Sequence, residues 1–229
     1  MNYSFYIAGT DTDVGKTFCA SALLHLAQRN ELSCLGIKPI AAGCEAKDTS
    51  AEGEPRNLDA LTLMRFSSIK LPYHQVNPVA LSAFVSPHIA AAKEDKKISV
   101  QALLDACRPG LEQGAQFTLV EGAGGWYVPL NELETLAEFA AELKFPVILV
   151  VGLKLGCINH SLLTAEAIER SGLTMAGWIA NSVDPLMEEK DQNIATLTKR
   201  LKAPCLGIVP RVNSVEDAAD HLDLSLLLR

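Results

Sequence analysis

The chain has 229 residues, 27 of them acidic and 20 basic, giving a net charge of −7; this length suits one domain with a buried two-sided sheet, expected to span residues 1–229. The acidic balance and the absence of any Lys/Arg run argue against nucleic acid or an anionic membrane as main partner and favour a small-molecule substrate. Cys19, Cys34, Cys44, Cys107, Cys157 and Cys205 are scattered without zinc spacing and read as reduced, packed thiols, and no window reaches the ~20 apolar residues of a membrane span or resembles a secretory leader, so a cytoplasmic location is expected.

In chain order, short apolar β-branched runs at residues 4–8, 34–38, 117–121, 147–151, 176–181 and 206–209 predict strands. Helical stretches are predicted between and after them at 16–28, 58–66, 87–93, 100–112, 133–143, 160–171 and 188–201, with Asn57 and Ser99 as N-caps. Strand and helix alternate, and several runs are almost wholly apolar, as in parallel strands covered on both faces. The expected fold class is α/β: a single-domain, doubly wound, mostly parallel sheet flanked by helices, of the P-loop nucleoside triphosphate hydrolase type. Residues 47–56 lack an apolar period and read as a mobile surface loop over the site. Ligands of such sheets collect at the carboxyl ends of the strands, so the residues just after each run carry the functional reading.

After the first run comes Gly9-Thr10-Asp11-Thr12-Asp13-Val14-Gly15-Lys16-Thr17, leading into a helix. Amides of a tight turn, the positive helix end and Lys16 would hold a triphosphate, and the Thr17 hydroxyl could ligate magnesium. Thr10 stands where the usual first glycine belongs, with Gly9 one residue early. Asp11 and Asp13 would repel a triphosphate, so they point to a metal or to a positively charged second substrate such as an amine, unless both face solvent.

Lys38 ends the second run and could neutralise charge on a transferring phosphoryl group, although an isolated lysine there would simply snorkel to solvent. Asp59 stands in the first turn of a helix, where an acid is favourable on its own account. Glu121 ends the third run and is followed by Gly122-Ala123-Gly124-Gly125, a placement suited to binding magnesium directly or through water. After the fourth run, Gly156 and the amides beyond it offer a second helix start to an anion such as a carboxylate. Cys157 and His160 read as packing or capping residues, because no third group completes a nucleophilic arrangement. Asn181 could contact a nucleobase, and Val209-Pro210-Arg211 ends a strand where an adenine could rest.

Together with Gly36-Ile37-Lys38-Pro39, Arg56-Asn57-Leu58-Asp59-Ala60, Val120-Glu121-Gly122-Ala123-Gly124-Gly125-Trp126 and Gly156-Cys157-Ile158-Asn159-His160, this loop closely resembles the dethiobiotin synthetases. Asn77-Pro78, Ser86-Pro87-His88 and Gly177-Trp178-Ile179-Ala180-Asn181 follow in order, so the resemblance runs through nearly the whole chain. The displaced glycine is normal in that family. The resemblance implies a homodimeric, magnesium-dependent ligase that closes the ureido ring of dethiobiotin from 7,8-diaminononanoate, carbon dioxide and ATP. The diamine forms a carbamate, whose oxygen takes the γ-phosphoryl group, and the second amine then expels phosphate.

Residue by residue, the resemblance implies catalytic roles for Lys38, Lys16 and Thr12. The nucleotide would be held by Asp13, Val14, Gly15, Lys16, Thr17, Phe18, Asp59, Glu121, Gly122, Ala123, Gly124, Asn181, Val209, Pro210 and Arg211. Thr12, Lys38 and Ala42 would hold the substrate, with Gly156, Cys157, Ile158 and Asn159 taking its carboxylate across the dimer interface. Magnesium would fall to Thr17, Asp59 and Glu121.

Two positions depart from the family. Ala42 replaces a common serine, removing a hydroxyl and about 1 kcal/mol of binding, with Cys44 or a water as candidate stand-ins. Arg211 stands where an aromatic is often found. The rival readings are a regulatory or partitioning P-loop ATPase or GTPase, which usually carries a second lysine early in the loop where Thr10 and Asp11 stand here, and a corrinoid-acid amidase, which normally adds a glutaminase domain that this length does not accommodate.

Overall fold

Period-two alternation inside the apolar runs decides which layer each side chain enters. In the computed structural model, which describes residues 2–46 and 55–228, Phe5 and Ile7 pack on one face of a central sheet and Tyr6 and Ala8 on the other. The sheet is built from β1 (Tyr3–Gly9), β2 (Cys34–Ile37), β3 (Phe117–Glu121), β4 (Val147–Gly152), β5 (Met175–Asn181) and β6 (Cys205–Val209). Every pairing is parallel and the order is β6-β5-β4-β1-β3-β2. From β1 the chain runs outward to β2, returns to β3, then passes to the far side of β1 and continues outward to β6.

The seven longer helices are α1 (Lys16–Arg29), α2 (Leu58–Phe66), α3 (Pro87–Lys93), α4 (Val100–Leu111), α5 (Leu136–Leu143), α6 (Cys157–Arg170) and α7 (Lys190–Arg200). Leu23 and Leu24 of α1, Leu63 and Phe66 of α2, and Ala218, Leu222 and Leu224 near the C-terminus cover one face. Ala90 of α3, Leu103 and Cys107 of α4, Phe139 of α5, Ile168 of α6 and Leu197 of α7 cover the other. This is the doubly wound α/β fold that the alternation predicts, and Asn57 and Ser99 cap α2 and α4 with their side chains as expected.

Three helix starts differ from the sequence reading, each for a local reason. Leu133 entered the apolar count yet is 91% exposed. The Asn131 side chain there accepts from the amides of Leu133 and Glu134 and holds a turn, and α5 begins only after the Thr135/Glu138 capping box. α6 begins at Cys157 rather than at 160, because Gly156 takes a left-handed conformation (φ 94°) and starts the helix there. α7 starts at Lys190, after Glu189 in a left-handed conformation.

Two short ladders escaped the pattern: Ile40–Ala41 pairs with Val79–Ala80, and Glu45–Ala46 with Pro55–Arg56. The predicted surface loop over 47–56 is corrected at its end, since Pro55–Arg56 forms this antiparallel ladder, while residues 47–54 lie outside the described residues. Among the described residues all six cysteines are free, five of them buried, and no helix is long and apolar enough to cross a membrane.

Candidate active site

The strand order brings Gly9, Lys38, Glu121, Gly152, Asn181 and Val209 to one edge of the sheet, with the loop between β1 and α1 at its middle. Two glycines make that loop possible. A Cβ on Gly9 would stand 2.8 Å from Val14 Cγ2 and 3.0 Å from the Asp11 carbonyl, so the loop could not fold back over the strand end. Gly15 has φ 85° and packs so closely that a Cβ would stand 2.1 Å from Asn181 Nδ2. The early glycine therefore closes the loop, and Thr10 needs no glycine geometry.

The loop is braced from three sides. Asn181 Nδ2 donates to the Val14 carbonyl at 2.9 Å, and Lys154 Nζ donates to Asp11 Oδ2 at 2.8 Å. Lys16 Nζ donates to the carbonyls of Asp11 (3.0 Å) and Gly124 (2.7 Å). Burial, reinforced by the charge of Lys38, pulls the Lys16 ammonium down to a pKa of about 8 against the opposing pull of Glu121, Asp59 and Asp13. A bound triphosphate would pull that value back up.

Beside the loop, Lys38 and Glu121 form a buried pair at 2.5 Å, with only 3% and 0% of their side chains exposed. The Lys38 ammonium also donates to the Gly122 carbonyl at 3.0 Å and lies 3.2 Å from Asp59 Oδ2. Burial works against this ammonium, but the charges of Glu121 and Asp59, with their hydrogen bonds, outweigh it and hold its pKa above the ordinary lysine value. Thr17 Oγ1 donates to the same Glu121 Oε1 at 2.7 Å, while Glu121 Oε2 is buried without a hydrogen-bond partner.

Thr17, Asp59 and Glu121 thus converge on one spot, and the unsatisfied carboxylate oxygen is what a hard divalent cation would use. Among the described residues no three His, Cys, Asp or Glu side chains gather into a complete metal cage. The donor set fits magnesium arriving with a nucleotide, since that ion binds through one or two carboxylates, waters and phosphate oxygens.

Residues 3–219 match a family model described as an AAA domain. The chain is 54% identical over 227 residues to the ATP-dependent dethiobiotin synthetase BioD of Cellvibrio japonicus, covering 98% of this chain and 97% of that one. The chain belongs to the dethiobiotin synthetase family. Its similarity to the BioD proteins of Pseudomonas aeruginosa PAO1 (50% over 223 residues, 96% of each chain) and Yersinia pestis (45% over 235 residues, 99% of this chain and 96% of that one) has the same full-length character. Among solved structures, the MinC:MinD cell division complex of Aquifex aeolicus aligns with TM-score 0.58 at 15% identity over 95% of this chain and 94% of that one. The Pyrococcus horikoshii septum site-determining protein MinD with Mg-ADP aligns with TM-score 0.52 at 14% identity, covering 92% and 82%. These likenesses concern the fold alone.

Within the dethiobiotin synthetase frame, the structure brings Lys16, Thr17, Lys38, Asp59, Glu121 and the carbonyls of Gly122 and Gly124 together. Thr12 and Asp13 lie exposed on the loop, Phe18 is half-buried at the helix start, and Ala123 is half-buried in the glycine turn. Ala42 lies beyond Lys38, on the turn before Cys44. Asn181 is buried and one N–H of its amide is committed to the loop, which leaves its oxygen and a second N–H for a base. Val209 is buried, Pro210 half-buried and Arg211 exposed at the far end of the same edge.

Gly156, Cys157, Ile158 and Asn159 form the start of α6; Cys157 is buried, and helix geometry leaves the Ile158 and Asn159 amides without intrahelical acceptors. Two readings are corrected. Cys44 is no stand-in for the hydroxyl missing at Ala42, because its buried thiol turns back to the Ala41 carbonyl at 3.6 Å. Asp11 does not merely face solvent, because its carboxylate accepts from Lys154 Nζ, and that hydrogen bond holds its carboxyl below the usual range.

A buried bracket behind Lys38 went unrecognised. Tyr73 Oη accepts from the Asn57 amide at 2.7 Å and donates to Asn77 Oδ1 at 2.9 Å, and Asn77 Nδ2 donates to the Lys38 carbonyl at 2.7 Å. The Lys38 amide in turn donates to the Val76 carbonyl at 2.8 Å. The helix start carrying Asp59 is so tied to the strand end carrying Lys38. Asn77-Pro78 was the available signal, since an asparagine before proline after a short turn suits a buried backbone bridge. Tyr73→Phe should lower stability by about 1–3 kcal/mol, as buried partners lose their hydroxyl; an unchanged denaturant midpoint would show that the bracket carries nothing.

Proposed function

We propose that this edge performs ATP-dependent closure of the ureido ring of dethiobiotin from 7,8-diaminononanoate and carbon dioxide. The chain is a ligase, and one observation carries the assignment of its chemistry to this place: Lys38, Asp59, Glu121 and Thr17 converge within hydrogen-bonding reach beside the phosphate loop. Residues 1–229 act as one domain in this reading.

ATP lies with its phosphates in the loop formed by Asp13, Val14, Gly15, Lys16, Thr17 and Phe18, where amides and the Lys16 ammonium take its charge. Thr17, Asp59 and Glu121 would hold magnesium, which would supply positive charge to a transferring phosphoryl group. Gly122, Ala123 and Gly124 let the nucleotide approach the backbone. Asn181 Oδ1 accepts from the base, whose far side rests on Val209, Pro210 and Arg211.

The diamine first adds carbon dioxide at one amine to give a carbamate. Thr12, Lys16 and Lys38 orient the carbamate, and its oxygen attacks the γ-phosphorus, releasing ADP and giving a carbamic-phosphoric anhydride. The second amine attacks the carbonyl carbon and loses its proton, the ring closes, and phosphate departs with the carbamate oxygen. Lys38 and Lys16 supply positive charge where the oxygens gain negative charge. No side chain is acylated or phosphorylated.

The substrate carboxylate is held at the α6 start by Gly156, Cys157, Ile158 and Asn159 of the second subunit of a homodimer. Leu155, 95% exposed immediately before that helix start, and Leu163, 58% exposed along it, support a second copy packing here. Ala42 supplies no hydroxyl, so the diamine is held there by charge and shape.

A partitioning ATPase shares this fold, but full-length identity with the synthetases and the Thr10-Asp11 start of the loop favour the ligase. Purified protein given the diamine, bicarbonate, magnesium and ATP should release ADP and a ureido product in equal amounts. ATP turnover indifferent to the diamine would overturn the assignment.

A further inference from the structure

An ammonium group has three N–H donors, and Lys38 already has three acceptors within reach: Glu121 Oε1 at 2.5 Å, the Gly122 carbonyl at 3.0 Å and Asp59 Oδ2 at 3.2 Å. In this arrangement it has no donor left for a substrate oxygen. Two of those acceptors belong to the carboxylates assigned above to the metal. Thr17, the third assigned ligand, is also spent on Glu121 Oε1.

We infer that Lys38 is the resident counter-ion of the metal-binding carboxylates, and that arrival of the metal with its nucleotide exchanges it out of that place and frees it for the carbamate. The inference rests on the metal assignment of the proposed function and adds an order of events to it. Lys38 is 3% exposed and Glu121 fully buried, so the carboxylate needs a cation at every stage. A lysine ammonium and a hydrated divalent ion are alternative ways to supply one. Once the metal neutralises Glu121 and Asp59, the attraction that holds the ammonium against them weakens, and its donors can turn to the anionic substrate. Lys38 is then aimed only when the nucleotide is loaded, so a carbamate formed beforehand meets a lysine that is still engaged.

The test is metal binding, read without turnover. Mn2+ binding to protein with saturating ADP, followed by electron paramagnetic resonance, is compared in the wild type, Lys38→Met and Glu121→Gln. If Lys38 competes with the metal, Lys38→Met binds Mn2+ at least tenfold more tightly. Equal or weaker binding would overturn the exchange and show that Lys38 only orients Glu121.

Glu121→Gln separates the exchange from the metal assignment beneath it. If it leaves Mn2+ affinity unchanged, Glu121 is not a metal ligand and the parent assignment falls. If it weakens Mn2+ binding while Lys38→Met brings no gain, only the exchange falls. Should Lys38→Met fail to fold, the wild-type protein with 15N-labelled lysine gives the same answer. Mg2+ with ADP should shift the Lys38 ammonium resonance and speed its proton exchange, whereas ADP with a chelator should not. A resonance indifferent to Mg2+ contradicts the exchange.

Discussion

Replacing Lys38 by alanine should slow ring closure by roughly 10³-fold, the scale of losing a preorganised charge at a developing anion, while ADP still binds in the presence of magnesium. Lys16 and the Thr17 hydroxyl have partners of their own other than Lys38, so the nucleotide of the proposed function would keep its principal contacts. The removed ammonium touches both Glu121 and Asp59. The variant also leaves a buried carboxylate without its counter-ion, which costs about 3–5 kcal/mol of stability in comparable pairs, so its unfolding midpoint should fall in the absence of metal and nucleotide. Activity measured as product formed per enzyme, beside calorimetric titration with ADP, separates the effects. Parallel loss of catalysis and nucleotide binding would place Lys38 in nucleotide binding rather than in carbamate chemistry.

Glu121→Gln is the second large effect. Glutamine has the same shape, and its oxygen can still accept from Thr17, but it carries no charge for the metal. The magnesium concentration that gives half-maximal activity should rise at least tenfold and the maximal rate should fall by about 10²-fold, in line with loss of one electrostatic contributor. Stability should fall less than in Lys38→Ala, because the ammonium left behind keeps Asp59 at 3.2 Å. A magnesium titration superimposable on the wild type would remove Glu121 from the metal site.

The parts of this site that follow from strand ends were legible in the sequence. Lys38 and Glu121 each terminate an apolar run, and parallel pairing of β2 with β3 necessarily brings two such ends together. Gly15-Lys16-Thr17 was legible because strand, turn and helix follow one another without a gap. The contacts that hold the site in shape were not, because each joins positions far apart in the chain. Asn181 reaches Val14, Lys154 reaches Asp11, and Tyr73 links Asn57 to Asn77 only after the sheet has formed. Composition around those residues gives no period that would mark them. Leu133 misled for the opposite reason, being an apolar residue on the outside of a turn. The partner of Asp11 was not legible because Lys154 lies at the exit of β4, a neighbour of β1 only through the sheet order.

In the proposed reaction the γ-phosphoryl group of ATP passes to an oxygen that entered as carbon dioxide. Ring closure run with 18O-labelled carbon dioxide, before exchange with water, and followed by mass spectrometry of the released phosphate tests it most directly. One labelled oxygen is expected in each phosphate for every ureido ring formed. Phosphate free of label alongside normal product formation would contradict it.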